Sequence, residues 1–492
     1  MSEVQNTTQY LPELQHIQPR SVETVKISPN NGTTHKQGKF IEFRINPNSS
    51  SVLDNSRCKL SAKFNAQVFP TAGDEPINFF SSPGLQSVFN RMTVHVGQHV
   101  VEDIQDYNRC YAALSRVYTS IYQAGSSGSA TDLYNDTQFQ ATGNTAATGR
   151  ILSGPTLSPP VGGTIYTYDC CISLSLSSLF GSGSKFAWPL HVLKEPTFVR
   201  LYLTPSVNEV VYSSLPAGGE GDYGASTNYY LTDVTLNVCQ INYDPPELKL
   251  IKSMMPEDEV EYCVQQVVSS TSNIGYSSNE RVILPNCSYS CVNNMIFNFW
   301  YNSYSTGGSI TMGNSPGCGL YRAMVYVDGV PLSSIKVGTS NSNEPFNSNS
   351  SLAASVLKLN RDLNMLFDSN TQLTALFGGQ TAAKMVGNYN NINNSPLWAT
   401  PSTGSETPTR PASTASDAAS AVGGCLVGFD LTQAIDKDSD IKGRDLQGKQ
   451  VVFDCDQTNS IVNSTLRTVQ CVMNISTKVY LDMKKGTMRV VR

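Results

Sequence analysis

The chain has 492 residues, of which 39% are hydrophobic and only 15% charged, and its formal net charge is −5. Charged residues make up about 25% of a typical soluble domain. Here Ser, Thr, Asn, Gln and Gly take their place, which favours β-sandwiches with long polar loops over helical proteins. The acidic balance excludes a global attraction to nucleic acid or anionic membranes, and the length suits about two to four domains.

The first 30 residues are predicted to form an N-terminal arm. The opening "MSEVQNTTQYLPELQ" lacks the basic region and apolar run of a secretory signal. No stretch of the chain approaches the roughly 20 apolar residues of a membrane span. Three glutamates and three basic residues balance each other in residues 1–38, so this is not a basic genome-binding arm. We expect synthesis in the cytosol and no membrane span.

Four segments of the first half recur in the same order in the second half. They are "CKLSAKFNAQVF" with "CVNNMIFNFWYN", "RMTVHVGQHVVED" with "RAMVYVDGVPLSS", "SLSLSSLF" with "GFDLTQAI", and "TFVRLYL" with "KQVVFDC". The offset is 231 residues from Arg91 to Arg322 and 255 residues from Leu176 to Leu431. Four matches in order, with a small drift that a loop can absorb, indicate an internal duplication.

Each copy contains a strand followed by a tight turn. In "MTVHVGQHV", Val94 and Val96 alternate with polar residues, and this period of two is typical of a half-buried strand. Gly97–Gln98 then places a glycine first in a two-residue hairpin turn. Asp328–Gly329 is expected to form the equivalent turn of the second copy.

A helix is predicted after each hairpin. The first has an apolar stripe at steps of three and four residues, at Ile104, Tyr107, Tyr111, Leu114, Tyr118 and Ile121. Glu102 and Asp103 would lie at its electropositive start, and Gly125 would close it. The second has a similar stripe at Leu352, Val356, Leu359, Leu363 and Leu366, after Ser350 as N-cap. We expect each helix to pack as a lid on its own sheet.

A long loop follows each predicted helix, over residues 124–164 and 388–424. Loops of this length are usually functional or disordered. Because each half shows many short strands and no βαβ rhythm, the fold is predicted to be all-β, with about eight antiparallel strands per half. The two prolines after Asp244 interrupt strand pairing. The predicted divisions are therefore 31–245 for the first unit, 246–256 for a linker and 257–492 for the second unit.

The sequence offers weak candidates for a metal site. His95 and His99 flank the hairpin turn, but a cupin-like site also needs a glutamate and a later histidine, which are missing. The segment "DKDSDIKGRDLQ", from Asp436, begins like a calcium loop. Its sixth position is Ile441 in place of glycine and its twelfth is Gln447 in place of glutamate. We therefore predict no metal ligands.

Catalytic motifs are missing as well. Cys287 and Cys291 have a CxxxC spacing without a partner pair, which argues against zinc. The 12 cysteines are scattered through apolar runs, and reduced thiols are expected in a cytosolic protein. There is no GxSxG elbow, no P-loop and no conspicuous carboxylate pair. No catalytic or cofactor-binding residue is assigned, no cofactor is expected, and the protein is predicted not to be an enzyme.

Several segments resemble the major capsid proteins of Polinton-like viruses and adintoviruses, within the adenovirus–virophage lineage. The resemblance rests on the order of five segments: "KFIEFRINPNSSSVLDNSRCKLSAKFNAQV", "LQSVFNRMTVHVGQHVVEDIQDYNRCYAALSRVYTS", "SLSLSSLFGSGSKFAWPLHVLKEPTFVRLYL", "LYRAMVYVDGVPLSS" and "KVYLDMKKGTMRVVR". It spans nearly the whole chain, and no single motif is diagnostic alone.

This resemblance implies two tandem eight-stranded jelly rolls, each with an inserted helix and a long loop. It also implies a structural protein of the virion, made in the host cytoplasm, whose homotrimers form pseudo-hexameric capsomers of an icosahedral shell. The implied partners are neighbouring capsomers and the penton and minor capsid proteins, without strong direct nucleic-acid binding. Two alternatives stay open: a penton-type capsid protein, which usually has a single jelly roll, and a tandem β-sandwich lectin or adhesin.

Overall fold

The computed structural model describes residues 19–68, 77–80, 84–118, 156–157, 165–181, 187–214, 227–275, 277, 279–301, 320–332, 337–338, 427–431, 443–457 and 467–491. The predicted second helix, the loop 388–424 and the acidic residues 436–440 lie outside these ranges, as do Gly125 and all of the first loop except 156–157. In the described part, strands dominate and pair in antiparallel fashion.

The strands of the first half are β1 (Ser21–Ile27), β2 (Thr34–Lys36), β3 (Phe40–Ile45), β4 (Ser51–Val68), β5 (Ile77–Phe80), β6 (Phe89–Val96), β7 (His99–Gln105), β8 (Thr156–Leu157), β9 (Ile165–Ile172), β10 (Ala187–Trp188), β11 (Thr197–Leu203), β12 (Val211–Ser214) and β13 (Thr227–Asn242). Helix α1 (Tyr107–Tyr118) follows β7, and short 3-10 turns cover Gly84–Val88 and Val207–Glu209.

Helix α2 (Pro245–Met254) leads into the second half. The strands there are β14 (Glu259–Ile274), β15 (Asn279–Leu284), β16 (Val292–Tyr301), β17 (Leu320–Val327), β18 (Val330–Pro331), β19 (Val337–Gly338), β20 (Val427–Asp430), β21 (Val451–Gln457), β22 (Arg467–Asp482) and β23 (Thr487–Val491).

The two halves have the same strand order. In the first half, one sheet runs β1-β13-β4-β9 and the other β3-β11-β6-β7. In the second half, the corresponding sheets run β14-β22-β16-β20 and β15-β21-β17-β18. In each half these eight antiparallel strands have the connectivity of an eight-stranded jelly roll. Additional strands join them: β2 pairs with β13, β10 with β4, β23 with β22 and β19 with β17, while β12-β5-β8 form a small third sheet. The predicted fold class, two tandem jelly rolls, is therefore confirmed.

Residue pairing agrees as closely as strand order. Phe64 on β4 pairs with Tyr168 and Leu231, and its predicted copy Phe297 on β16 pairs with strands β20 and β22 in the same way. Both phenylalanine side chains are fully buried. Phe64 stacks on Tyr229, and Phe297 stacks on Phe453 with ring centroids 4.8 Å apart. The duplicated sequence thus places an equivalent buried phenylalanine in each half, although its aromatic partner lies on β13 of the same sheet in the first half and on β21 of the opposite sheet in the second.

Both predicted hairpin turns are confirmed. Val96 pairs with His99 across the first turn and Val327 pairs with Val330 across the second. Gly97 has φ +57°, and in the second turn Asp328 and Gly329 have φ +49° and +77°. Positive φ is the conformation that these turns need, and glycine adopts it without a steric penalty.

The predicted start of the first helix is wrong. Helix α1 begins at Tyr107, whereas Glu102 and Asp103 lie in strand β7, which pairs with β6 as far as Gln105. Asp103 receives a bidentate contact from Arg91 on the neighbouring strand at 2.8 and 2.9 Å. Strand pairing with β6 therefore overrides the helical spacing of the apolar residues. Asp106, with φ +49°, separates the strand from the helix.

The predicted arm and linker both contain regular structure. Residues 21–27, within the predicted arm, form β1 and pair with β13 along their whole length. The predicted linker 246–256 lies mostly within α2, whose first turn holds Pro245 and Pro246, where missing N–H groups cost nothing. The backbone N of Asp244 donates to Glu247 Oε2 at 3.2 Å, half of a capping box. The domain limits themselves stay a prediction.

Candidate functional site

The histidines beside the first turn do not converge on a metal. His95 is half-buried and its Nε2 lies 3.0 Å from Thr93 Oγ1. Burial lowers the pKa of His95, and the positive charge of Arg200 adds to this. His99 is exposed at the start of β7. Within the described ranges, no group of three or more His, Cys, Asp or Glu side chains is placed to hold a metal ion.

The CxxxC cysteines have separate partners. Cys287 Sγ contacts the carbonyl of Pro285 at 3.5 Å, and Cys291 Sγ accepts a hydrogen bond from the backbone N of Gly443 at 3.1 Å. Every cysteine in the described ranges is a free thiol. Burial raises the pKa of both Cys58 and Cys455 to about 12, so these thiols stay protonated and inert at neutral pH.

A buried carboxylate lies in the first half, and its contacts indicate a structural role. Glu102 is fully buried on β7 and accepts hydrogen bonds from the Ser177 and Ser178 hydroxyls and from the Ser178 backbone N. These donors compensate the burial of the charge. They hold the turn after β9 against β7, and none of them is an activating base. Sequence reasoning assigned Glu102 to a helix and missed this contact.

The most extensive arrangement that joins distant parts of the chain is the junction between the two jelly rolls. Strand β7 is the edge of its sheet, so some of its carbonyls have no strand partner. Gln266 Nε2 on β14 donates to the Val101 carbonyl at 3.0 Å, and Ser269 Oγ donates to the Gln105 carbonyl at 3.0 Å. Side chains of the second half thus satisfy and cover an edge that would otherwise be open.

Helix α1 completes this junction. The guanidinium of Arg109 lies 4.2 Å from the ring centroid of Trp300 on β16 and forms an ion pair with Glu209 at 2.7 Å. Gln470 Nε2 on β22 lies 3.5 Å from Cys110 Sγ. The prediction that α1 would cover its own sheet is therefore incomplete, because the helix also packs against the second half.

An apolar core runs through the junction. Ile296 on β16 and Val472 on β22 point away from the interior of the second jelly roll, yet they are 1% and 2% exposed. They belong to the same buried cluster as the core of the first half. The outer face of the β14-β22-β16 sheet is therefore buried against the first half.

The copy of this face in the first half is open. Since Phe64 corresponds to Phe297 in the pairing register, Lys63 takes the place of Ile296 and Thr232 that of Val472. The Lys63 side chain is 45% exposed and forms an ion pair at 2.8 Å with Asp233, which is 67% exposed. We call this surface of β4 and β13 the open face. The same sheet position is thus apolar and buried in one half, and charged and solvated in the other.

Comparison with solved structures decides what this architecture resembles. The chain is similar to a structure of the Sputnik virophage with a TM-score of 0.58 and 12% identity, covering 96% of this chain and 88% of the other. It is similar to the mavirus major capsid protein with a TM-score of 0.52 and 11% identity, over 97% and 92% of the two chains. The chain has the double jelly-roll fold of major capsid proteins.

The double jelly roll also matches a quasi-atomic structure of the PBCV-1 virus capsid, with a TM-score of 0.51, 10% identity and 96% coverage of both chains. No protein-family model matches the sequence, and a search of curated proteins finds no match. The chain is therefore similar to these structures in fold, whereas its sequence identity to them is low. Neither helix of the described ranges is long and apolar enough to cross a membrane.

Proposed function

We propose that this protein is the major capsid protein of an icosahedral DNA virus and that it acts by assembly, without catalysis. The observation that carries this proposal is the pair of jelly rolls with one strand order, packed together in one chain as in the matched capsid structures. The proposed assembly is a homotrimer, in which six jelly rolls form a pseudo-hexameric capsomer.

The form of the internal junction supports assembly into a ring. The helix and edge strand of one jelly roll pack on the outer sheet face of the next, so the contact is head-to-tail. A head-to-tail contact between two homologous units can repeat, and it closes into a ring when the rotation permits. The first half keeps its copy of the receiving face open, and we propose that the second half of another chain covers it.

The chemistry of the open face fits a contact made after folding. Ile296 and Val472 are covered as soon as the chain folds, so they can be apolar at no cost to solubility. Lys63 and Asp233 meet solvent until a second chain arrives, so charged residues keep the free chain soluble there. This contrast between equivalent positions is expected if one contact is internal and the other intermolecular.

Reversing one charge on the open face tests this assembly. Lys63→Glu places a second carboxylate beside Asp233 at the proposed contact, and the two like charges repel each other. We expect this change to weaken the trimer, so that the protein concentration below which it dissociates is at least tenfold higher than for wild type. Lys484→Glu makes the same charge change in the exposed Lys484–Asp258 pair and is the matched control. Light scattering after size exclusion should give three times 53.4 kDa for wild type and for the control.

Each outcome of that experiment is informative. A wild-type monomer that binds glycans would favour the lectin alternative and end the capsid proposal. A wild-type trimer that the Lys63 change leaves intact would keep the capsid role and place the contact elsewhere. Negative-stain images of the wild-type trimer are expected to show hexagonal or triangular particles.

The remaining partners follow from the same proposal. We infer contacts with neighbouring capsomers and with penton and minor capsid proteins, a location in the virion after synthesis in the host cytoplasm, and only weak direct contact with the genome. The net charge of −5 supports the last inference, because binding to phosphate backbones requires a basic surface.

A further inference from the structure

One ion pair occurs at the same place in both jelly rolls with its charges exchanged. In the first half, Glu42 on β3 accepts a contact from Arg200 on β11 at 2.6 Å. In the second half, Arg281 on β15 donates to Asp454 on β21 at 3.0 Å. The acid lies on the first strand of the pair in one half and on the second strand in the other.

The pairing register shows that the two positions are equivalent. In the first half, Ile45 pairs with Thr197, and three residues away along each strand Glu42 pairs with Arg200. In the second half, Leu284 pairs with Val451, and three residues away along each strand Arg281 pairs with Asp454. Ring contacts add to each pair: Arg200 lies 5.8 Å from the Phe198 ring centroid, and Arg281 lies 5.7 Å from that of Tyr326.

A second pair on the same outer face also differs in kind. Two residues further along, Phe40 and Tyr202 are in ring contact in the first half, with centroids 5.8 Å apart. At the equivalent place in the second half, Asn279 Nδ2 donates to Asp456 Oδ1 at 2.6 Å. The same position therefore has an aromatic pair in the first half and a hydrogen-bonded polar pair in the second.

The inner faces of these strands distinguish the two halves only in part. The inward residues of β3 include Ile41, Phe43 and Ile45, and those of β15 include Val282 and Leu284, all apolar and buried. Phe43 faces Val199 whereas Val282 faces Phe453, so an exchange of partners would mismatch side-chain volumes, and Glu280 of β15 holds the place of Ile41. Apolar cores tolerate a mismatch of volume at modest cost, so the inner faces alone do not forbid the exchange. A chain with two copies of one plan therefore faces a specific hazard, in which β3 pairs with β21, or β15 with β11, within one chain or between two.

We propose that the exchanged ion pair is a pairing code, which prevents the strands of the two homologous jelly rolls from exchanging partners during folding. In the exchanged arrangement Glu42 would face Asp454 and Arg281 would face Arg200. Like charges directly opposite each other destabilise a strand pair. The effect is strongest at Asp454, whose side chain is only 2% exposed and would face a second acid away from water.

The code requires only that the chain contains two homologous jelly rolls, so it does not depend on the capsid role. Its test is the double variant E42R/R200E, which keeps an ion pair in the first half but gives both halves the same polarity. In this variant each exchanged pairing joins opposite charges. Because an ion pair between positions 42 and 200 is kept, we expect the melting temperature of the folded fraction to stay close to that of wild type.

Exchanged pairing can be trapped directly. Cys455 on β21 occupies the position that Ile41 would face if β3 paired with β21, as the register of both halves shows. We would introduce I41C in the wild-type and E42R/R200E backgrounds and refold both from urea with glutathione disulfide as oxidant. A disulfide between positions 41 and 455, quantified by peptide mass spectrometry, reports the exchange and forms whether or not the native fold is recovered.

We expect at least threefold more of this disulfide in the reversed background than in the wild-type background. The intermolecular share of the disulfide should increase as the protein concentration rises. The matched control reverses the exposed pair Asp258 and Lys484 together, as D258K/K484D with I41C, and should give the wild-type amount. Equal amounts of the disulfide in the wild-type and reversed backgrounds would overturn the code.

Discussion

Acidification should destabilise this protein through His191. This residue lies between β10 and β11, and it is 7% exposed. Its pKa falls from 6.5 to about 4, mainly because burial penalises the charged ring and further because Lys252 on α2 is positive. The unfolded chain therefore takes up this proton between about pH 6.5 and pH 4, while the folded chain does not. Stability is lost as the pH falls through that window.

The size of the effect follows from the two pKa values. A difference from 6.5 to about 4 corresponds to about 3 kcal/mol of unfolding free energy, since each pKa unit is worth about 1.4 kcal/mol. The variant His191→Gln removes the titrating ring and keeps a polar side chain. Between pH 7 and about pH 4, the unfolding free energy of wild type should therefore fall by about 3 kcal/mol more than that of the variant.

Urea unfolding at a series of pH values, at one protein concentration, measures this difference. The pKa values of His35 and His95 are also lowered by burial, but both residues are present in wild type and variant, so their contributions cancel. His99→Gln, at an exposed site, is the control and should follow wild type. If wild type and His191→Gln lose stability in parallel, the assignment of the acid sensitivity to His191 is refuted.

Two further substitutions test the junction and the turn. Arg109→Met leaves the carboxylate of Glu209, 17% exposed, without its cation, and should cost about 2–3 kcal/mol by calorimetry. Stability unchanged by this substitution would contradict a structural role for the Arg109 contacts. Gly97→Ala adds a Cβ that meets the side chain of Glu195 at a φ of +57°, whereas Gly329→Ala at φ +77° meets open space. We expect the first alanine to lower the melting temperature more than the second, because only the first combines backbone strain with a clash; equal losses would exclude the clash.

The parts of the fold that local sequence determines were predictable. Alternation of Val94 and Val96 with polar residues identified a strand, and Gly97 and Asp328–Gly329 identified its turns. These signals need only residues a few positions apart. The ordered recurrence of four segments likewise predicted two copies of one plan, and the common strand order of the two halves confirms it.

The start of α1 was not predictable from spacing alone. Ile104 and Tyr107 suit a helical stripe, and the residues around Glu102 suit a strand equally well. The choice was made by β6, which supplies strand partners for β7 from His99 to Gln105, with one bulge at Val101. The hydroxyls of Ser177 and Ser178, more than seventy residues further along the chain, then compensate the charge of Glu102.

Alternation shows that a strand buries a face, but it does not show what covers that face. Ile296 and Lys63 hold equivalent positions, and only the packing of α1 and β7 on the second half explains why one is apolar and the other charged. The exchanged charges of Glu42 and Arg281 were equally invisible before the strand partners were known. The sequence by itself determined which strands and turns form, since these depend on near neighbours. Only the tertiary structure decided which surfaces meet, because those contacts join residues far apart in the chain.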